Sequence, residues 1–517
     1  MSLLNRTFHP DEANQAFTTG RLLETGMYQY DPKDHHGPTL YYAAAAMQKA
    51  AGINSTASLN ETLLRGTPVL FAVLTLVFAL LAAGKIFKRS KAGWKLPSFL
   101  LAALLATSPI FVFFATDFIQ EMLLSCFSVM MIWAITGCIF SFRRQNAEIS
   151  KPNRIKPGTW ALLAGMAAGL AFATKETSVI TFSACAISAA TAYLFHLSTS
   201  RARQIPANFS AINLKQPTIL SIAGFALTAT LFYSSFMSNW QGVYNIFISA
   251  PLSYFNRALG DAVSEGAAYH VHPWWQYVKW LFSDNAAFAA FTVAGIILGV
   301  FATVEKSKSS IEPPKPIRTA FVALLSLSIS LTAFYSVIPY KTPWCALQMH
   351  IPLLCAGLFG LILFSLRGTT GRVMLILLSA ATIHANVSIV WRMWKSPDSR
   401  QIPYNYACAS AQVKDMAALI ESVAETVRRG AVSNVFIAVA LPPEDTWPLP
   451  FYIRNLNANV GYWTQFAELE ALAGLNRKPD IVIVPAEDGH LVQPLFPYLK
   501  NTRRFEMRHK VRVRVFW

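Results

Sequence analysis

Ten stretches of this chain are long and apolar enough, or nearly so, to cross the roughly 30 Å of hydrocarbon in a bilayer. They run over 66–84, 97–115, 122–142, 158–174, 177–195, 217–236, 285–303, 319–338, 348–366 and 373–393. Inside lipid every backbone N–H and C=O must find its partner within the segment, so runs of this length are helices. The fourth is short and is parted from the fifth only by Lys175-Glu176, which predicts a tight hairpin. Of 517 residues, 54% are hydrophobic and only 14% charged, where a soluble chain carries about a quarter charged. The expected architecture is a polytopic α-helical membrane protein with three regions. A first loop, 1–65, precedes about ten transmembrane helices over 66–393, and a separate segment, 394–517, follows.

The net charge of +17 sits mostly in short loops between apolar segments, which speaks against a nucleic-acid partner. Basic residues mark the cytoplasmic loops of a membrane protein. The loops 85–95, 143–157, 197–216, 304–318 and 367–372 hold nineteen Lys and Arg, whereas the alternate set, 116–121, 175–176, 237–284 and 339–347, holds four. The first set is therefore expected in the cytoplasm. Residues 1–65, the loop 237–284, the stretch PYKTPW and everything after about 394 are expected on the extracytoplasmic side of the cell membrane. A translocated first loop with no span before it is unusual, and the expectation is that a first transmembrane helix is missing upstream. Six cysteines without CxxC spacing read as small hydrophobes.

Polar residues then collect on one side. Asp11-Glu12, YDPKDHHGPTLYY (30–42), TDFIQE (116–121), KET (175–177), YHVHPWWQY (269–277) and YKTPW (340–344) all fall at or near an extracytoplasmic boundary. Charge held at that depth is costly unless it is paired or functional. Such a site suits a lipid-borne, negatively charged substrate. Lys175, Lys341 and Arg257 are the cations for a phosphate, with Glu176, His272 and Tyr340 in the same stretches. His35 and His36 are candidates to donate hydrogen bonds or hold a metal, and a carboxylate is available as a base.

The stretch HPDEANQAF (9–17) resembles the first-loop acidic motif of the GT-C superfamily of membrane glycosyltransferases. That superfamily includes the dolichyl-phosphate-mannose protein mannosyltransferases of glycosyltransferase family 39 and the lipid A aminoarabinose transferases. With ETGMYQYDPKDHHGPTLYY, FATKETS, PYKTPW, WPLPFYIRN and GYW, the chain is more narrowly similar to one prokaryotic family. Its members are membrane glycosyltransferases described as flippase activity-associated and linked to protein N-glycosylation. The resemblance implies a GT-C-like fold and transfer of a sugar from a polyprenyl-phosphate donor to an extracytoplasmic acceptor, whether protein, lipid or glycan. It places the acceptor-activating base at Asp11, with Glu12 beside it, and the second acidic motif at Asp117 and Glu121. Displacement at an anomeric carbon needs a base at the acceptor and positive charge at the leaving phosphate, which these residue types supply. No cofactor is required by this chemistry. A divalent cation is the one candidate, with Asp11, His35, His36 and Glu121 as ligands only if they converge.

Plainer readings stand beside these. Asp11-Glu12 also reads as the N-cap of a helix over ANQAFTTGRLLETG, DHHGP as a turn, Asp117 and Glu121 as the end of a span, Lys175-Glu176 as a local ion pair, HVHPWW as an interfacial anchor, and Lys341 as snorkelling. The alternative functions are a lipid-linked-sugar flippase accessory or transporter, or a non-catalytic scaffold. The segment 394–517 alternates a helix signal (413–430) with apolar runs (432–440, 480–486) and an alternating end (503–517), predicting a small α/β domain. It contains neither GxGxxG nor a P-loop. In a background without native cysteines, an impermeant maleimide should label Ser264→Cys in intact cells and Ser90→Cys only after permeabilisation. The reverse pattern would invert the topology.

Overall fold

The computed structural model describes residues 6–31, 36–87, 95–145, 155–199, 214–251, 270–283, 285–305, 314–397, 399, 402, 404–405, 408–427, 435–473, 478–508 and 511–517. They form two compact units. One comprises 27–43 and 65–392, and the other comprises 1–26, 44–64 and 393–517.

The first unit is the helical one. Among the described residues eight helices are long and apolar enough to span a membrane. These are α3 (Glu61–Phe87), α6 (Glu121–Gln145), α8 (Ser178–Thr199), α9 (Lys215–Tyr233), α11 (Ala286–Val304), α12 (Lys315–Val337), α13 (Ala346–Ser365) and α14 (Thr369–Lys395). The expected segment 97–115 is a bent pair of helices: α4 (Lys95–Thr107) and α5 (Pro109–Ala115) meet at 62° around Ser108. Pro109 has no N–H to continue the ladder and starts the second piece as its first helical residue. The segment 158–174 is α7 (Pro157–Phe172), only 16 residues. All ten apolar segments are thus helical. The chain is a multi-pass membrane protein.

Lipid-facing positions such as Ile219, Ile222, Leu227 and Ile297 are exposed, while α13 is buried along nearly its whole length. Between apolar helices in lipid, close van der Waals packing does the work, and it favours small residues at the seam. Two GxxxG runs supply this, GMAAG (165–169) in α7 and GIILG (295–299) in α11. A Cβ on Gly165 would lie 1.9 Å from the Ser221 carbonyl of α9, and one on Gly295 would lie 2.2 Å from the Gly357 carbonyl of α13.

The second unit is built on a five-stranded mixed sheet in the order β2-β1-β3-β5-β4. Its strands are β1 (Ile437–Ala440), β2 (Val460–Trp463), β3 (Ile481–Pro485), β4 (Thr502–Arg508) and β5 (Val511–Phe516). β1 is parallel to β2 and β3, and its residues are buried on both faces, as parallel strands usually are. Helix α15 (Gln412–Val427) turns Val413, Met416, Ala417, Ile420 and Ala424 inward, three to four residues apart, as an amphipathic helix must. The alternating C-terminal stretch is a hairpin, and β2 was not foreseen from the sequence.

First-loop segments belong to this unit. Helix α1 (Pro10–Thr25) rests on the WPLPFYIRN stretch: Phe8 stacks on Phe451 at 4.7 Å, and Phe17 meets Trp447 edge-on at 5.8 Å. The Tyr452 hydroxyl accepts from the Phe8 N–H at 2.8 Å. Arg454 donates to the carbonyls of Ala57 and Leu59, and Lys414 pairs with Glu61 at 2.9 Å.

Gly295→Leu should destabilise the protein by about 1–3 kcal/mol, the usual cost of overpacking. Gly84→Ala, at a glycine with nothing within 4 Å, should be neutral or slightly stabilising. Thermal unfolding of the purified protein in detergent measures both.

Candidate functional site

In the helical unit, two sequence motifs far apart in the chain meet by backbone. His36 forms an antiparallel bridge with Lys175, the Gly37 N–H donates to the Thr174 carbonyl at 3.1 Å, and the Thr39 N–H donates to the Ala173 carbonyl at 3.2 Å. A Cβ at Gly37 would fall 2.2 Å from the Ala173 carbonyl, so only glycine permits this approach. The hydroxyls of Thr39 and Thr174 are 2.7 Å apart. HGPT (36–39) and ATK (173–175) are therefore joined by backbone. A second pairing joins Val271 to Tyr340. The His272 N–H donates to the Pro339 carbonyl at 3.2 Å, and the Lys341 N–H donates to the His270 carbonyl at 2.8 Å.

At the centre of the first pairing, Lys175 and Glu121 form a buried ion pair, with side chains 8% and 2% exposed. Burial is the largest single influence and works against the Lys175 ammonium, but Glu121, by charge and hydrogen bond, together with Cys345 and Glu176 outweighs it, and the net effect raises the lysine above its ordinary value. Glu121 is the first residue of α6, where the unpaired N–H groups of a helix favour a carboxylate. Gln348 of α13 donates to the Glu121 carbonyl at 3.1 Å and to the Ser125 hydroxyl at 2.8 Å. Lys175 binds Glu121 across 54 residues of chain, and the charge of its neighbour Glu176 acts on it as well.

Lys341 is also covered, 1% exposed, and its ammonium donates to the Ile338 carbonyl. It does not snorkel. Burial pushes its pKa down. His272 is held below its ordinary value by burial and by Lys341, and its ring lies 5.3 Å from that of Trp280. Tyr340 stacks beside His270 at 4.6 Å. Trp274 and Trp275 are exposed, in keeping with an interfacial anchor. Asp117 lies in the α5–α6 loop, 6% exposed.

A supporting layer was not legible in the sequence. Ser235, Phe236 and Met237 are three consecutive non-glycine residues in the left-handed region, at φ 50°, 56° and 73°. Such a run is strained and persists only where its surroundings hold it. It presents the Ser235 hydroxyl to the Tyr28 N–H at 2.9 Å and to the Tyr42 hydroxyl at 2.5 Å. Tyr28 in turn donates to the His36 carbonyl at 2.6 Å. A run of polar residues after a span was the only available signal.

The opening acidic pair lies in the other unit. The N-cap of α1 is His9, with Pro10 at the first helical position; the cap is neither Asp11 nor Glu12. The His9 Nδ1 accepts from the Asp11 N–H at 3.1 Å, and the Glu12 carboxylate accepts from the His9 N–H at 2.9 Å, closing a capping box. Glu12 is fully buried in that role, whereas the Asp11 side chain is 46% exposed. The Asp11 carboxylate approaches the same Nδ1 at 3.9 Å.

Among the described residues no group of three or more His, Cys, Asp or Glu is placed to hold a metal ion. Glu121 is committed to an ammonium that would repel a cation. His35 and Arg257 lie outside the described residues.

No protein-family model matches the sequence, and no curated protein matches it. Solved structures do match the fold. ArnT from Cupriavidus metallidurans, crystallised with undecaprenyl phosphate, superposes with a TM-score of 0.58 at 12% identity over 99% of this chain and 94% of its own. The apo form of the same protein gives 0.56. The archaeal oligosaccharyltransferase AglB from Archaeoglobus fulgidus, in complex with an inhibitory peptide and a dolichol-phosphate, gives 0.53 at 12% identity over 93% of this chain and 66% of its own. The chain has the GT-C fold of membrane glycosyltransferases, with a small C-terminal sheet domain.

Removing one member of a buried ion pair costs about 3–5 kcal/mol, because the other is left charged and dry. Lys175→Met should therefore destabilise by that much, and the double change with Glu121→Gln by clearly less, in thermal unfolding. Since the folded lysine pKa is raised, its contribution is complete below the unfolded value near about 10.4 and is lost only as pH rises through the higher folded value.

Proposed function

We propose that this protein is a GT-C-type glycosyltransferase that moves a sugar from a polyprenyl-phosphate donor to an acceptor on the extracytoplasmic side of the membrane. The observation that carries the reading is the whole-chain likeness to a fold crystallised with undecaprenyl phosphate. The chemistry of the residues supports it further. Lys341, buried in the helical unit, and Lys175, held by Glu121, are the cations this reading assigns to the end of the bundle where the sequence places the polar loops. Positive charge there would stabilise a departing lipid phosphate.

Asp11 is the base in this reading, and its exposure favours it over Glu12, whose oxygen is spent on the helix cap. It would take the proton of the acceptor nucleophile as that nucleophile attacks the anomeric carbon. The bond to the lipid phosphate breaks with its electron pair on the phosphate. Glu176, His272 and Tyr340 would serve the donor headgroup, as would His36 and Asp117, along with His35 and Arg257. The stretch WPLPFYIRN contributes by carrying α1, and so Asp11, on aromatic packing.

The test is transfer of labelled sugar from a polyprenyl-phosphate donor in membranes. Asp11→Asn should lose at least about a hundredfold in rate, the scale of a lost general base. Glu12→Gln, which keeps a capping-box partner, should lose less than about tenfold. Equal transfer by Asp11→Asn and wild type would remove Asp11 as the base, and no transfer by wild type that inserts normally would hand the function to the transporter or scaffold alternatives.

A further inference from the structure

The sheet-bearing unit holds a cavity of about 400 Å³ that the transfer reaction does not use. It is lined by the rings of Phe17, Trp447, Tyr462 and Trp463, with Thr446 and Thr464 beside them. It sits where the parallel strands β1 and β2 end: Leu441 to Trp447 follow β1, and Tyr462 to Thr464 close β2. The carboxyl ends of parallel strands are where open α/β sheets gather ligands, because the loops there are free to vary over a fixed frame. Packing does not fill the space. Tyr462 is 42% exposed, and Trp447 and Trp463 are only partly covered.

From this geometry we infer that the cavity is a carbohydrate-binding pocket that takes an uncharged pyranose ring. A sugar ring has apolar C–H faces and a rim of hydroxyls. It therefore asks for aromatic faces and a few hydrogen-bonding groups, the general recipe for a small polar ligand in a mostly apolar site. The aromatic faces are present. At the rim, the Thr464 hydroxyl donates to Glu468 at 2.5 Å and so turns its acceptor side outward for a sugar hydroxyl. β2 is the edge strand of the sheet, with backbone groups along its outer side. No charged side chain lines the cavity among the described residues, which disfavours a phosphate or a nucleotide. A pocket of this volume holds one or two rings.

One glycine is built for the arrangement. The Trp463 indole folds back across Gly461, so a Cβ there would lie 2.2 Å from the ring. Gly461 keeps the indole flat on the strand and leaves room above it. Any larger residue would force the ring to shift.

For its role the proposal rests on the transferase reading, and it names the acceptor as a glycan. The binding itself is testable without turnover. Full-length protein in nanodiscs would be titrated with maltose, cellobiose and N,N′-diacetylchitobiose and followed by saturation-transfer NMR. The expected result is saturable binding of at least one of them, weakened at least about tenfold by Tyr462→Ala and kept within about twofold by Tyr462→Phe, since the ring does the work. Tyr462 is exposed enough for its truncation to leave the core intact, and Gly461→Ala gives a second variant that should weaken binding similarly. Saccharide binding that ignores both changes, no saturable binding of any probe, or tighter binding of a proline-rich peptide or a fatty acid in this pocket would overturn the proposal. Asp11→Asn separates the two ideas. If it abolishes transfer while saccharide binding is absent in wild type, the pocket falls and the transferase stands. If saccharide binding behaves as expected while wild type transfers nothing, the pocket stands and the transferase falls.

Discussion

The helical unit depends on one interaction, the ion pair between Lys175 and Glu121. An ammonium and a carboxylate removed from water each carry a desolvation cost of several kcal/mol, so neither stays buried unless the other holds it. Their pairing fixes four parts of the chain at once. It sets the turn 173–177 between α7 and α8, and the strand-like segment 36–39 that bridges to it. It also fixes the N-terminus of α6, and with it Gln348 of α13, whose amide bonds the Glu121 carbonyl. A site made this way holds one turn, one bridge and two helices on a single neutral ion pair.

Elsewhere the same economy appears in apolar form. α7 packs on α9, and α11 on α13, through glycines that bring backbone against backbone, because lipid offers no hydrophobic gain for bulkier contacts. In the sheet-bearing unit, Phe8, Phe17, Trp447 and Phe451 fasten α1 to a stretch more than 400 residues later, so the WPLPFYIRN motif is in the first place a mount for the acidic helix.

Much of the fold was legible because hydropathy is a strong and local signal. Each of the ten apolar segments is a helix, and only the break at Ser108 escaped, since a window average runs straight through Pro109. The site was legible as a set of motifs but not as a set of contacts. Glu176 sits next to Lys175 in sequence, but the hydrogen-bonded partner Glu121 comes from 54 residues away, which no local pattern announces. His9 escaped as the helix cap because Ser, Thr, Asp and Asn are the usual caps, and the adjacent carboxylates drew the attention. Strand β2, only four residues of VGYW with a glycine inside, is too short for its period to stand out. The left-handed turn at 235–237 has no glycine or asparagine to announce it.

The central claim is that this GT-C scaffold takes up a polyprenyl phosphate. Native mass spectrometry of the purified protein tests it directly, with polyprenyl phosphate competing against an equal concentration of phosphatidic acid. The account predicts retention of the polyprenyl phosphate by at least about tenfold over the competitor, and loss of that preference when Lys341 is replaced by alanine in protein that remains folded. Equal retention of the two lipids, or a preference that the Lys341 change leaves untouched, would contradict it.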